Sequence, residues 1–317
     1  MVTTSTLDRI IHHRRLRPLH RAAYRLLKWR QRGTFAIDID TSDSGFFAQL
    51  NWCLYSFAHC ETAGLSPRIR LVGHGYSNLA NHDWLHDYFE DVIALGDEGA
   101  DRRLRITHIE QTDLGSYSAG LTLEKANTLL RRYLRVRPSI QRYVDDFVTK
   151  HFAAGATLGA HYRGTDKSME ATPVPWESFA ETAERYAARN CLKVIFVASD
   201  DPGFSVWMAQ RFAGQFEVVA HDDQERSDGS LPIHRTLTGD RQLKGFEALV
   251  NCLLLSRCDA LIRSASFLSG WSSVFNPALP VTMMNRPFES KLWFPDREVV
   301  KRSDESLLRG GGPPESD

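Results

Sequence analysis

The chain has 317 residues, 42% of them hydrophobic, and a formal net charge of zero. That length fits two domains of about 100–150 residues each, and the apolar share excludes global disorder. A neutral chain is not a nucleic-acid binder held by overall charge, and no apolar run reaches the roughly 18 residues of a membrane span.

The charge is uneven. Residues 1–32 hold nine Lys or Arg and one Asp, a surplus of eight positives that the rest of the chain balances. Ile10, Leu16, Leu19, Leu26, Leu27 and Trp29 lie among those charges, so the segment reads as a basic helical arm. It has no following apolar h-region, which argues against a signal peptide. Two accounts of the arm stand side by side. One is peripheral contact with anionic lipid, where each Lys or Arg contributes about 1 kcal/mol. The other is a helix packed on its own domain, favoured by the break that Pro18 makes in the apolar face.

The pattern then changes. Thr34–Asp40 alternates like a strand, Thr41–Gly45 is turn chemistry, Phe47–Glu61 is long enough for a helix, and Arg68–Gly73 is a second strand. Strand, turn, helix and strand make one βαβ unit of an open α/β sheet. Residues 74–120 read weakly, with a strand expected at Leu104–Ile109. Helices are expected at Leu123–Leu134 and Ser139–Phe152.

A second α/β series starts near Ala156. Its strands are expected at Thr157–Tyr162, Lys193–Ala198, Glu217–Ala220, Asp259–Ile262 and Val281–Met284. Its helices are expected at Pro175–Asn190, Pro202–Phe212, Gly245–Ser256 and Phe267–Phe275, with a long polar loop over 221–240. Asp201 followed by Pro202 is an N-cap signal. The glycines and prolines after Leu308 predict disorder. The expected organisation is a basic arm (1–32), two Rossmann-like domains (33–152 and 153–300) and a tail (301–317). The two α/β domains would face a cleft, with ligands beyond the carboxyl ends of the strands.

Five cysteines, Cys53, Cys60, Cys191, Cys252 and Cys258, sit mostly in apolar runs without a CxxC pair. Buried, reduced thiols in a cytoplasmic protein are the expectation.

Candidate chemistry gathers where strands end. His161-Tyr162-Arg163-Gly164-Thr165-Asp166-Lys167 follows an apolar strand. His161, Arg163 and Lys167 would favour a pyrophosphate, since Arg meets phosphate oxygens bidentately, and Gly164 permits close backbone approach. A solvated turn with a local Arg–Asp pair is the plainer alternative. Ser264, Ser266 and Phe267 lie between a strand and a helix start. Hydroxyls and helix amides there would hold an anion, and simple N-capping is the alternative. Ser42-Asp43-Ser44-Gly45 lacks the full GxGxxG pattern, so Gly45 shapes a turn or touches ligand. Asp200 would face the cleft beside the capping Asp201. No metal site is expected: Asp38-Ile39-Asp40 has DxD spacing but lies within a strand pattern, and His12-His13 belongs to the basic arm. No GxSxG nucleophile motif occurs.

Taken in order, His161–Lys167, Phe196–Pro202 and Gly245–Ser266 resemble the three C-terminal motifs of the GT-B fucosyltransferases. That superfamily includes the core α-1,6-fucosyltransferases and the nodulation-protein-Z type enzymes. The resemblance covers residues 157–275 well and Gly45–Cys60 more loosely. It implies an inverting, metal-independent transfer of fucose from GDP-fucose to a glycan or lipid-linked saccharide. By the resemblance, Arg163 holds the β-phosphate, His161 contacts the nucleotide, Asp166 holds the ribose or braces the arginine, and Ser264 and Ser266 bind phosphate. Glu170 would be the base for the acceptor hydroxyl, one residue short of the usual spacing. Two departures stand out. The core enzymes have a second Arg where this chain has Gly164, and a guanine-reading Asp where it has Asn251. Glu247, one turn earlier on the same expected helix, is placed to share that task. The competing readings are another donor, GDP-mannose or a UDP-sugar, and a non-catalytic nucleotide or glycan binder.

Overall fold

A computed structural model describes residues 33–40, 44–79, 81–92, 103–164, 170–221 and 240–304, together with Ala22, Tyr24, Arg25 and Lys28. The chain divides into two compact units, Met1–Leu121 with Thr128–Arg135, and Thr122–Asn127 with Val136–Asp317.

In the first unit, β1 (Thr34–Ile39) pairs in parallel with β2 (Ser66–Leu71) on one side and β4 (Leu104–Ile106) on the other. Helix α1 (Phe46–Ala63) carries the crossover from β1 to β2. It ends at Gly64, whose φ of 65° is the left-handed turn that glycine adopts without a Cβ penalty. Short helix α2 (Leu85–Tyr88) leads into β3 (Phe89–Asp91). The strand expected over Leu104–Ile109 stops at Ile106. The Gln111 side chain accepts from the Thr107 and His108 amides at 2.9 and 3.3 Å, turning the chain into a 3-10 helix, Ile109–Gln111.

The aspartates with DxD spacing are held by arginines. Asp38 accepts from Arg103 Nε and lies 3.8 Å from Arg70, while Asp40 accepts from Arg105. Of the arm, Tyr24 is buried and Lys28 reaches Asp113 at 3.0 Å, its ammonium 5.7 Å from the Tyr24 and Tyr117 rings. These two residues pack on their own unit; His12, His13 and Pro18 lie outside the described residues.

Helix α3 (Leu123–Tyr133) is followed by β5 (Leu134–Val136), which pairs with β3. Helix α4 (Pro138–His151) belongs to the second unit, ahead of the boundary expected at 152. Its apolar side supplies Tyr143 and Phe147 to an aromatic group with His221, Phe196 and Phe246.

The second unit alternates strand and helix in sequence: β6 (Thr157–Tyr162), α5 (Trp176–Arg189), β7 (Val194–Ser199), α6 (Pro202–Arg211), β8 (Glu217–Ala220), α7 (Arg241–Ser256), β9 (Ala260–Arg263), α8 (Phe267–Phe275), β10 (Val281–Met283) and α9 (Asp296–Val300). The five strands are parallel in the order β10-β9-β6-β7-β8. Every residue of β6, β7 and β9 is buried, as a parallel sheet covered on both faces requires. Leu158, Ala160, Ile195, Val197 and Ile262 pack there with Phe179, Phe204 and Phe212 from the helices.

Helix α7 starts four residues before the expected Gly245, because the Asp240 carboxylate accepts from the Gln242 and Leu243 amides. Asp201 caps α6 as expected, accepting from Gly203 N–H at 2.9 Å. Four cysteines are buried; Cys191 is exposed, a correction to the expectation. It occupies the left-handed position (φ 54°) just past the end of α5, where a side chain points outward. Lys301–Asp304 are also no tail: Met283 N–H donates to Ser303 Oγ and Asp304 N–H to Val281 O. Among the described residues, no helix is long and apolar enough to cross a membrane.

Candidate nucleotide-binding site

The site follows from strand order. The chain winds from β6 outward to β7 and β8, then returns past β6 to β9 and β10. The reversal leaves β6 and β9 adjacent with their following loops diverging, and ligands of open α/β sheets bind at such a switch point. Register then decides which residues meet. His161 pairs with Arg263, and Tyr162 pairs with Ser199. The residues after β6, β7 and β9 therefore emerge together at one sheet edge.

They are stitched by hydrogen bonds. Ser264 N–H donates to His161 O at 3.0 Å, and Arg163 N–H donates to Ser264 Oγ at 2.8 Å. Gly164 N–H donates to Asp200 Oδ1 at 3.2 Å. Arg163 Nε stands 3.6 Å from Asp200 Oδ2, and its side chain keeps 20% exposure. The carboxylate beside Arg163 thus comes from the end of β7, not from within its own turn, and the guanidinium still reaches solvent. His161, in β6, is buried.

Gly164 has a steric reason. A Cβ there would lie 2.7 Å from Tyr162 Cε1. That ring cannot yield easily: it stacks on Phe204 at 4.3 Å, and its hydroxyl donates to Val174 O at 3.0 Å. Burial raises the Tyr162 pKa, so the hydroxyl stays a neutral donor.

Sequence reasoning missed the side chains that hold this loop set. Arg263, the last residue of β9, is wholly buried. Its guanidinium donates to Asp296 Oδ1 at 2.6 Å, to Ser266 O at 2.5 Å and to Ser264 O at 3.3 Å. It thereby fixes the carbonyls of the Ser264–Ser266 turn. Helix α8 comes close enough that a Cβ on Gly270 would meet Asp296 Oδ1 at 2.7 Å. Ser266 occupies the N-cap position of α8 without a side-chain capping bond, and Phe267 opens the helix, partly buried.

Asn285 is the second brace. Its Oδ1 accepts from Ala265 N–H at 2.7 Å and its Nδ2 donates to Thr172 O at 2.7 Å. It ties the turn after β9 to the segment carrying Glu170. A strand-end rule applied to β10 would have found Asn285; nothing local marks Asp296, 33 positions from its partner.

Glu170 is half-buried, with its carbonyl accepting from Phe288 N–H at 2.8 Å. Asp166 and Lys167, like Thr165, lie outside the described residues, as do Ser42 and Asp43. Glu247 and Asn251 are both buried one turn apart on α7. Gly45 is in the first unit, as the extended N-cap of α1. Among the described residues, no group of three or more His, Cys, Asp or Glu is arranged to hold a metal ion.

Three solved structures share the fold. NodZ alpha-1,6-fucosyltransferase co-crystallized with GDP is 15% identical, with a TM-score of 0.52, over 79% of this chain and 95% of that one. The same enzyme soaked with GDP-fucose is 14% identical, with a TM-score of 0.52, over 79% and 95%. Fucosyltransferase NodZ from Bradyrhizobium is 14% identical, with a TM-score of 0.51, over 79% and 96%. At these identities the likeness is one of fold, GT-B. No curated protein sequence matches the chain. The nodulation protein Z family profile, however, matches residues 122–306, more than half of the length and all of the strand-end loops described above. The chain belongs to the nodulation protein Z (NodZ) family.

Proposed function

We propose that the chain transfers fucose from GDP-fucose to a saccharide acceptor, inverting the anomeric carbon, with Arg163 in place of a metal ion. The observation that carries this reading is the placement of Arg163. Arg163 follows the central strand at the sheet's switch point; its peptide N–H donates to Ser264 Oγ, and its partly exposed guanidinium stands 3.6 Å from Asp200.

In this scheme the acceptor oxygen attacks C1 of fucose and the C1–O bond to the β-phosphate breaks. The electron pair goes to the diphosphate. Negative charge builds there, and a fixed guanidinium stabilises it more in the transition state than before. Glu170 takes the acceptor proton. Ser264 and Ser266 supply hydroxyls to phosphate, Lys167 adds charge, and Asp200 keeps Arg163 aimed. Asp166 holds the ribose or braces Arg163. His161, Glu247 and Asn251 face the nucleoside. The second unit holds the donor, and the first, through Gly45 and the segment 74–120, holds the acceptor. The five free thiols support a cytoplasmic setting, with the basic arm available to a lipid surface.

The test is mass spectrometry of GDP and product after incubation with GDP-fucose and a glycan mixture, alongside Arg163→Ala. The variant should lose on the order of 100- to 1000-fold in rate with an unchanged melting curve. Equal turnover in the variant refutes the role. A thermal shift with UDP or GDP-mannose in preference to GDP-fucose redirects the donor assignment.

A further inference from the structure

We infer that Phe288 and Trp293 form an aromatic platform, at the rim of the donor site, on which a pyranose ring of the acceptor stacks. This rests on the sugar-transfer reading and names an acceptor contact in the second unit.

Among the described residues, these are the two exposed Phe or Trp side chains, each 45% accessible. They sit five positions apart in one short segment around the 3-10 turn Glu289–Lys291. The other Phe and Trp side chains of the second unit are folded into its interior or half-covered. Exposed aromatic surface costs solvation free energy, and where it gathers it marks ligand-binding surface.

Continuity with the site says what covers it. Phe288 N–H donates to Glu170 O at 2.8 Å, and Pro287 bridges to Ala171. Asn285, at the head of the segment, holds both Thr172 and Ala265. At the other end the Trp293 ring lies 6.1 Å from the ring of Phe267, the first residue of α8. The platform is therefore fixed to the two loops that carry the proposed base and the phosphate hydroxyls. A group bound there lies beside the reacting centre.

The chemistry of the occupant follows. A pyranose with equatorial substituents presents C–H bonds on its ring faces and hydroxyls around its edge. The apolar face matches an aromatic plane, and the hydroxyls stay in water. Lys291, whose ammonium is 5.2 Å from the Trp293 ring, is a flexible chain that can swing aside and donate to a ring hydroxyl.

The test uses cellotetraose as probe, followed by saturation-transfer NMR on the full chain, with GDP binding measured in parallel by calorimetry. Wild type should pass saturation to the axial ring protons. The Phe288→Ala/Trp293→Ala double variant should bind the saccharide at least about tenfold more weakly, at unchanged GDP affinity. Trp293→Phe in the wild-type background should retain most of the signal. Full saccharide binding by the double variant, or none by a wild type that binds GDP, overturns the platform and leaves the transfer reading standing. A wild type that fails to bind GDP overturns the transfer reading, and the platform with it.

Discussion

Asp296→Ala removes the carboxylate from a guanidinium that has no exposure. A guanidinium is not deprotonated inside proteins, so the variant strands a cation in the interior. Breaking one side of a buried pair costs about 3–5 kcal/mol. The two carbonyl contacts, to Ser264 and Ser266, remain and place the expected loss near the lower end, about 3 kcal/mol. At roughly 2–4 °C per kcal/mol for a unit of this size, the melting temperature should fall by about 6–12 °C. Chemical denaturation with GDP absent and present is the assay. The Arg263 head also sets the Ser264–Ser266 turn, so GDP affinity should fall further than the global loss alone explains. Replacing both partners, Arg263→Met with Asp296→Leu, should recover much of the stability and none of the lost affinity. A loss below about 1 kcal/mol for Asp296→Ala would refute the claim that the pair is buried and coupled.

Gly164→Ala brings a methyl to 2.7 Å of a ring held on two sides, and should cost about 1–3 kcal/mol by denaturation while raising the KM for the donor. Asn285→Ala cuts the tie between two loops and should weaken GDP binding about tenfold by calorimetry, with a smaller effect on the melting temperature. The first unit should show a stability maximum near neutral pH. The hydrogen bond to Asp83, then that to Asp91, raises the His86 pKa to about 10, so its contribution is complete below about 6.5 and is lost as pH rises through 10. Burial lowers His59 to about 4, so its contribution is complete above about 6.5 and is lost as pH falls through 4. His86→Gln should flatten the alkaline limb and His59→Gln the acid limb in pH-dependent melts.

The second unit was largely legible because its strands are short unbroken apolar runs. Thr157–Tyr162, Glu217–Ala220 and Phe267–Phe275 fall where periodicity places them. Polar residues right after such runs located Arg163, Asp200 and Ser264, since a parallel sheet delivers strand ends to one edge. What could not be read is long-range pairing. Arg263 looked like one more polar residue in a strand-end motif, and only the fold brings Asp296 to it. Helix α4 read correctly as a helix, but its allegiance to the second unit depends on Tyr143 and Phe147 finding His221 and Phe196. The boundary of α7 was misplaced because Asp240 closed a polar stretch and looked like loop, although it is a cap.

Much of the scaffolding in the strand-end loops is main chain. Ser264 N–H meets a carbonyl, Ala265 N–H meets an amide side chain, and Arg163 and Gly164 are gripped by their peptide nitrogens. Peptide groups are the same whatever side chain they carry. Descendants can therefore exchange most letters and conserve the architecture, provided the few gripping groups, Ser264, Asp200 and Asn285, survive. Scaffolding of this kind lets a fold be shared at 15% identity.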